Sequence, residues 1–235
     1  MDRAERRARI LDVAGELLLA WGYDRVTIDE IARRAKVGKG TVYLHWKTKD
    51  ALFLAVVLQF QFRGHQRQLV RMRADPTEIL PSRMLRGLFR DFLDQPVLRA
   101  MHTDDADVLG RLNDTAKREL TELIGEGDRT LRRHLGVLRA HGLVRDDLDV
   151  HHQQYALMAV ATGFFTGEAL LAGRGPAAPE VRADVLARTV RSALETSRGE
   201  AATTAAAARA APEVIALYEQ FGELTLREIR RQVRD

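Results

Sequence analysis

Apolar residues recur at helical spacing along almost the whole of this 235-residue chain, and that periodicity narrows the architecture before any motif is considered. Ile10, Val13, Ala14, Leu17 and Trp21 make one stripe, with Gly22 placed to stop it. Leu85, Leu88, Phe89 and Phe92 make a second, ending ahead of Pro96. Leu120, Leu123, Ile124, Leu131, Leu135 and Leu138 run through a longer one towards Gly142. The stretch Gln153 to Ala172 is more evenly apolar, and Val181, Val185, Leu186, Val190 and Leu194 follow a GRGPAAP loop. Alternating Val/Ile/Thr runs closed by hairpin dipeptides are lacking. The expectation is an all-α protein.

Composition sets limits on function. Apolar residues make up 46% of the chain, enough for a real core, and there is no cysteine, which removes disulfides and thiolate chemistry. The start, MDRAERRARIL, is charged with no apolar run behind it, so a cytoplasmic protein is expected. The stretch from Tyr155 to Gly173 holds one charge, Glu168, and a GxxxG pattern at Gly163 and Gly167. A membrane span is the weaker reading, because the charge sits inside the stretch and its neighbours are ordinary amphipathic helices. A helix at a subunit interface, where small residues let two backbones approach, suits the composition better. The formal charge of the whole chain is +4. From Arg25 to Lys49 alone, seven basic residues (25, 33, 34, 36, 39, 47, 49) face two acids (29, 30), so one end is expected to meet an anionic partner.

That basic window contains two short helices. Thr27-Ile28-Asp29-Glu30 reads as a capping box, with the Thr27 hydroxyl accepting from the backbone three residues on and Glu30 reaching back. Ile28, Ile31, Ala32 and Ala35 give the first helix a small inner face. A tight turn follows from Ala35 to Gly38, and a second helix from Lys39 to Trp46. Two short helices across a glycine-containing turn form a helix-turn-helix, whose second helix enters the major groove. Val42 and Trp46 then point inward, while Gly40 and Leu44, flanked by Thr41 and Tyr43, point outward. Gly38 and Gly40 serve either the turn alone or close approach to a duplex. Lys39 and Thr41 can meet base edges or phosphates, and Leu44 either a thymine methyl or the local core. Tyr43 and His45 are placed to donate to phosphate oxygens, unless Tyr43 packs inward or His45 touches nothing. Lys47 and Lys49 stand where the flanking backbone would pass.

The run TIDEIARRAKVGKGTVYLHWKTKDAL, from Thr27 to Leu52, closely resembles the DNA-binding domain of TetR-family transcriptional regulators, and the likeness extends from about Ile10 to Leu58. Trp46 departs from the family's usual phenylalanine. The resemblance implies a three-helix DNA-binding head on a larger helical ligand-binding and dimerisation body. It implies DNA contacts at Thr27, Gly38, Lys39, Gly40, Thr41, Tyr43, Leu44, His45 and Lys49. It also implies a homodimer whose interface is made by two long C-terminal helices, here Gln153–Ala172 and Glu180–Arg198, bound to near-palindromic double-stranded DNA. The expected function is a transcriptional regulator, a repressor released from its operator by a small-molecule effector. An activator and a ligand-independent architectural DNA-binding protein are the alternatives.

The domain reading is a head over 1–50, a body over 51–200, and an alanine-rich linker with an extra amphipathic helix over 201–235. Candidates for an effector pocket are Phe89, Phe92, Met101, Leu123, Tyr155, Met158 and Phe165. Aromatic and methionine residues at helical spacing are as readily core as pocket. The histidines lack metal-ligand spacing, no cofactor is implied, and no catalytic motif is present, so an enzyme is not expected.

Overall fold

The computed structural model describes residues 2–103, 105–171 and 173–233. Helices α1 (Arg3–Trp21), α2 (Ile28–Arg34), α3 (Lys39–His45) and α4 (Lys49–Ala74) come first. A short 3-10 turn at Pro76–Ile79 leads to α5 (Pro81–Asp94), α6 (Pro96–Thr103), α7 (Ala106–Leu109) and α8 (Leu112–Glu119). Then come α9 (Thr121–Ala140), α10 (Val150–Leu170), α11 (Pro179–Leu194) and α12 (Glu200–Gln232). Among the described residues the protein is all-α, with an isolated antiparallel bridge between Val144 and Glu195. Proline opens α5, α6 and α11, where its missing N–H costs no hydrogen bond. No helix among the described residues is long and apolar enough to cross a membrane.

The chain divides into two units that do not follow the expected boundaries at 50 and 200. The first comprises residues 1–63, 96–124 and 223–235; the second comprises 64–95 and 125–222. In the first, Ile10, Ala14, Leu17 and Leu18 of α1 meet Ile28 and Ile31 of α2, Val42 and Trp46, and Leu52, Phe53 and Val56 of α4. Ala100, Leu109, Leu112 and Leu120 complete the same core, with Ile229 and Val233 packed against it. This is why 96–124 and the end of α12 join the head. Gly22 is fixed on two counts: its φ is +74, and a Cβ there would stand 2.2 Å from the carbonyl oxygen of Asp107. The neighbouring Tyr23 N–H donates to Val108 O at 2.8 Å. Trp21, expected at the end of the inward stripe, is 39% exposed, with the Arg34 guanidinium 4.8 Å over its ring.

In the second unit, Leu85, Phe89 and Phe92 of α5 pack with Ala183, Leu186, Val190 and Leu194 of α11 and with Leu157 and Phe165 of α10. A separate cluster joins Met72, Ile79, Leu80, Met84, Leu138 and Leu143 to Ala206, Ala207, Ala210, Ala211 and Val214. The alanine-rich stretch is therefore not a linker. It is the first part of one helix that runs through Pro212, and its small side chains at i, i+1, i+4 and i+5 let the backbone lie close to its neighbours. His134 is buried in this unit. Its Nε2 donates to Ile79 O at 2.8 Å, and Nδ1 accepts from the Tyr218 hydroxyl at 3.1 Å. Burial pushes its pKa down to about 4, so it packs as neutral imidazole.

Candidate nucleic-acid interface

Thr27 caps α2 as its residue type predicts, with Oγ1 accepting from Glu30 N at 3.2 Å. Only this half of the expected capping box forms. The Glu30 carboxylate turns to Arg33 at 2.6 Å and Arg34 at 2.7 Å, and these bonds hold its pKa down to about 2. Two guanidiniums three and four residues along offer more than one backbone amide does.

The turn between α2 and α3 assigns the glycines. Its left-handed residue is Lys36, with φ +52, while Val37 N–H donates back to Ala32 O at 3.0 Å. Gly38 caps α3 at φ −70 and ψ 148, a conformation open to any residue. Gly40 lies inside α3, where a Cβ would meet nothing within 4 Å. Neither glycine is called for by the turn or by packing. Gly40 also carries the ordinary helix penalty of up to ~1 kcal/mol relative to alanine.

The two faces of α3 are sharply unlike. Val42 and Trp46 are buried, as expected. His45 is buried with them, 3% exposed, and this corrects its placement among the DNA-facing residues. Three residues after Val42, it falls on the same side of the helix. Burial, then the charges of Arg3, Arg7 and Arg6 on α1, lower its pKa. Outward stand Leu44, 68% exposed, and Tyr43, with Gly38, Lys39, Gly40 and Lys47 exposed around them and Thr41 half-buried at the edge. Lys39 pairs with Asp29 at 2.8 Å, both in solvent. Lys49 differs from its expected place at the flank. Its ammonium lies 4.2 Å over the Tyr23 ring and donates to Asp24 O at 3.5 Å, fixing the segment ahead of α2 to the start of α4. The Tyr23 hydroxyl donates to Asp50, and burial, then this bond, raises its pKa to about 12.

The described pocket candidates fall into three settings. Phe89, Phe92 and Phe165 do meet, with ring centroids 4.6 to 5.6 Å apart, but as a filled core with Phe164. Leu123 packs in the first unit instead. Tyr155 and Met158 are 74% and 45% exposed on α10. The side chain of Met101, and the end of the expected Gln153–Ala172 helix at Ala172, lie outside the described residues. An open cleft of about 360 Å³ does exist, lined by Glu78, Arg83, Arg86, Asp184, Ala187, Arg188 and Arg191. Its guanidiniums are largely met by carboxylates, Arg83 by Asp75 at 2.9 Å and Arg86 by Asp184 at 2.5 Å. Among the described residues no three His, Asp or Glu side chains could hold a metal ion.

Two short helices across a tight turn, buttressed by α1 and presenting one face of α3 to solvent, define a helix-turn-helix protein. Residues 10–56 match the family model of the bacterial regulatory proteins, tetR family. Over 107 residues the chain is 34% identical to an HTH-type transcriptional regulator of Mycobacterium bovis, a match covering 46% of this chain and 56% of that relative. The chain thus spans about half the length of that relative. Its fold is similar to that of FadR from Bacillus subtilis, solved in complex with stearoyl-CoA, with a TM-score of 0.61 at 16% identity over 78% of this chain and 96% of that one. A gamma-butyrolactone receptor gives a TM-score of 0.51 at 24% identity over 91% and 100%. Residues 10–56 are thus a DNA-binding domain of the tetR family of bacterial regulatory proteins.

Proposed function

We propose that this protein is a dimeric, sequence-specific DNA-binding repressor whose α3 enters the major groove and whose operator affinity falls when a small molecule binds the second unit. The observation that carries the reading is Gly40. It is an exposed helix glycine with open space where a Cβ would be, so its want of a side chain serves something outside the chain. Leu44 and Tyr43 beside it are exposed large hydrophobic residues, suited to base methyls and groove walls. In this reading the DNA contacts are Thr27, Gly38, Lys39, Gly40, Thr41, Tyr43, Leu44 and Lys47.

The dimer reading is supported by the outer faces of α10 and α11. Tyr155, Met158, Leu170, Val181 and Val185 are all exposed, and a Cβ at Gly163 would meet nothing within 4 Å. Exposed apolar side chains of that kind on two neighbouring helices suit a twofold interface. The effector reading is supported by fold likeness to FadR, solved with stearoyl-CoA, and to a gamma-butyrolactone receptor. A ligand acts as a switch only through unequal affinity for the two states.

Selection of bound sequences from a random duplex pool tests the proposal. The expected product is a near-palindrome whose half-sites lie roughly 34–36 Å apart, one helical turn. Affinity for that sequence is then measured with and without long-chain acyl-CoA or a gamma-butyrolactone. Enrichment of no sequence would refute the specific regulator, and a ligand that binds without changing operator affinity would refute the switch.

A further inference from the structure

The cleft of about 360 Å³ in the second unit carries charge that the packing beside it does not call for. Helices α5 and α11 meet along Leu85, Phe89 and Phe92 on one and Ala183, Leu186, Val190 and Leu194 on the other. Beside that apolar seam each helix lends the cleft two guanidiniums. Arg83 and Arg86 stand three residues apart on α5, and Arg188 and Arg191 three apart on α11, so each pair shares a side of its helix. Ala187 puts no more than a methyl into the lining, and Glu78 and Asp184 complete it, four cations against two anions.

The carboxylates order these arginines without using up their donors. Arg83 Nη1 donates to Asp75 at 2.9 Å and stands 3.8 Å from Glu78, and Arg86 Nε donates to Asp184 at 2.5 Å. Among the described residues, the remaining N–H groups of these two guanidiniums make no hydrogen bond. Arg191 comes no nearer than 3.7 Å to Glu195, whose carboxylate already accepts from Ser82 N at 2.8 Å. Arg188 is exposed and has neither an ion pair nor a hydrogen bond among the described residues. Asp75 and Glu195 stand outside the lining, so the charge facing the cleft stays positive. Like charges gathered in one cleft repel, and an anion among them relieves that cost.

We propose that this cleft binds a small polyanion, a molecule with at least two phosphate or carboxylate groups. Such a site stands whether or not the protein represses transcription. A guanidinium is always charged, and its planar fork takes oxyanion oxygens in pairs. Forks on two helices suit a ligand with charge at both ends. The volume is at the lower end of the range for small-molecule sites, which favours a compact ligand. Ala187 is the one apolar residue of the lining, so an acyl chain gains little here.

The test is calorimetric titration of the full chain at low salt with pyrophosphate and, separately, with citrate. Saturable binding of at least one is expected. Binding of pyrophosphate alone assigns the site to phosphates, of citrate alone to carboxylates, and of both to either group. Arg188→Gln with Arg191→Gln, both at exposed positions, should weaken Kd at least tenfold while the chain melts like the parent. Arg188→Gln alone, which breaks no internal bond, should weaken it at least threefold. Arg90→Gln with Arg133→Gln removes the same charge at exposed positions outside the lining and should change Kd less than threefold. Saturable binding of neither anion overturns the proposal. So does a Kd that survives both cleft variants, or one that falls as far in the Arg90 and Arg133 control as in the cleft pair.

Discussion

Gly40→Ala separates what the fold needs from what the duplex needs. The new methyl points into solvent, with no atom of the chain within 4 Å, so it creates no clash. Replacing a helical glycine by alanine removes backbone freedom from the unfolded chain and gains up to ~1 kcal/mol in a helix interior, less in the first turn where Gly40 sits. At ~2–4 °C per kcal/mol for a chain of this size, the melting temperature should rise by about 1–3 °C. On DNA the sign reverses. A carbon atom added to the surface that lies against base edges and phosphates holds the helix away from every partner at once. The loss should exceed ~1.4 kcal/mol, or about tenfold in Kd. Thermal melting and fluorescence anisotropy on the selected operator read the two effects on one sample. A variant that is more stable and binds as tightly as the parent would refute the placement of this face of α3 on the duplex. A variant that melts lower would show that Gly40 serves the fold after all.

Three other perturbations have defined outcomes. Lys36 holds φ +52, a conformation that costs L residues and suits glycine, so Lys36→Val should be less stable than Lys36→Gly by about 1–2 kcal/mol, as read by urea denaturation. Because the pKa of buried His134 lies near 4, below its unfolded value, the unfolded chain takes up the proton first as pH falls. Stability should be full above about pH 6.5 and decline towards pH 4 by about 3 kcal/mol, and His134→Asn should flatten that decline. Gly163→Leu, on the open face of α10, should shift a dimer to monomer in analytical ultracentrifugation without lowering the monomer's melting temperature.

The helices were legible because their stripes and stop signals agree. Ile10 to Leu17 runs inward, and Gly22 ends α1 at φ +74, as a glycine after such a run should. Thr27, Val42 and Trp46 also fall where spacing puts them. His45 has the residue type of a phosphate donor among lysines, yet its position puts it on the buried side of α3 with Val42. The half-formed capping box depended on competition for Glu30, which spacing alone does not settle. The pocket candidates share residue chemistry at helical spacing, and that spacing does not say which of two cores a side chain enters. Leu123 enters one and Phe89 another. The alanines of α12 give no sign of helix packing in the sequence, because the signal they carry is close backbone approach, which has no hydrophobic contrast to reveal it.

Those alanines make the count of residues in α12 matter more than their identity. Repetitive stretches gain and lose units easily when a gene is copied. Removing one residue between Ala207 and Ala210 would rotate Val214 and Tyr218 by about 100° relative to Ala206, swinging them off the buried side. A substitution within the tract perturbs one spot, whereas a change in its length throws everything downstream out of register. Natural variants of this chain should therefore differ freely in which small residue occupies each place, and hardly at all in how many there are.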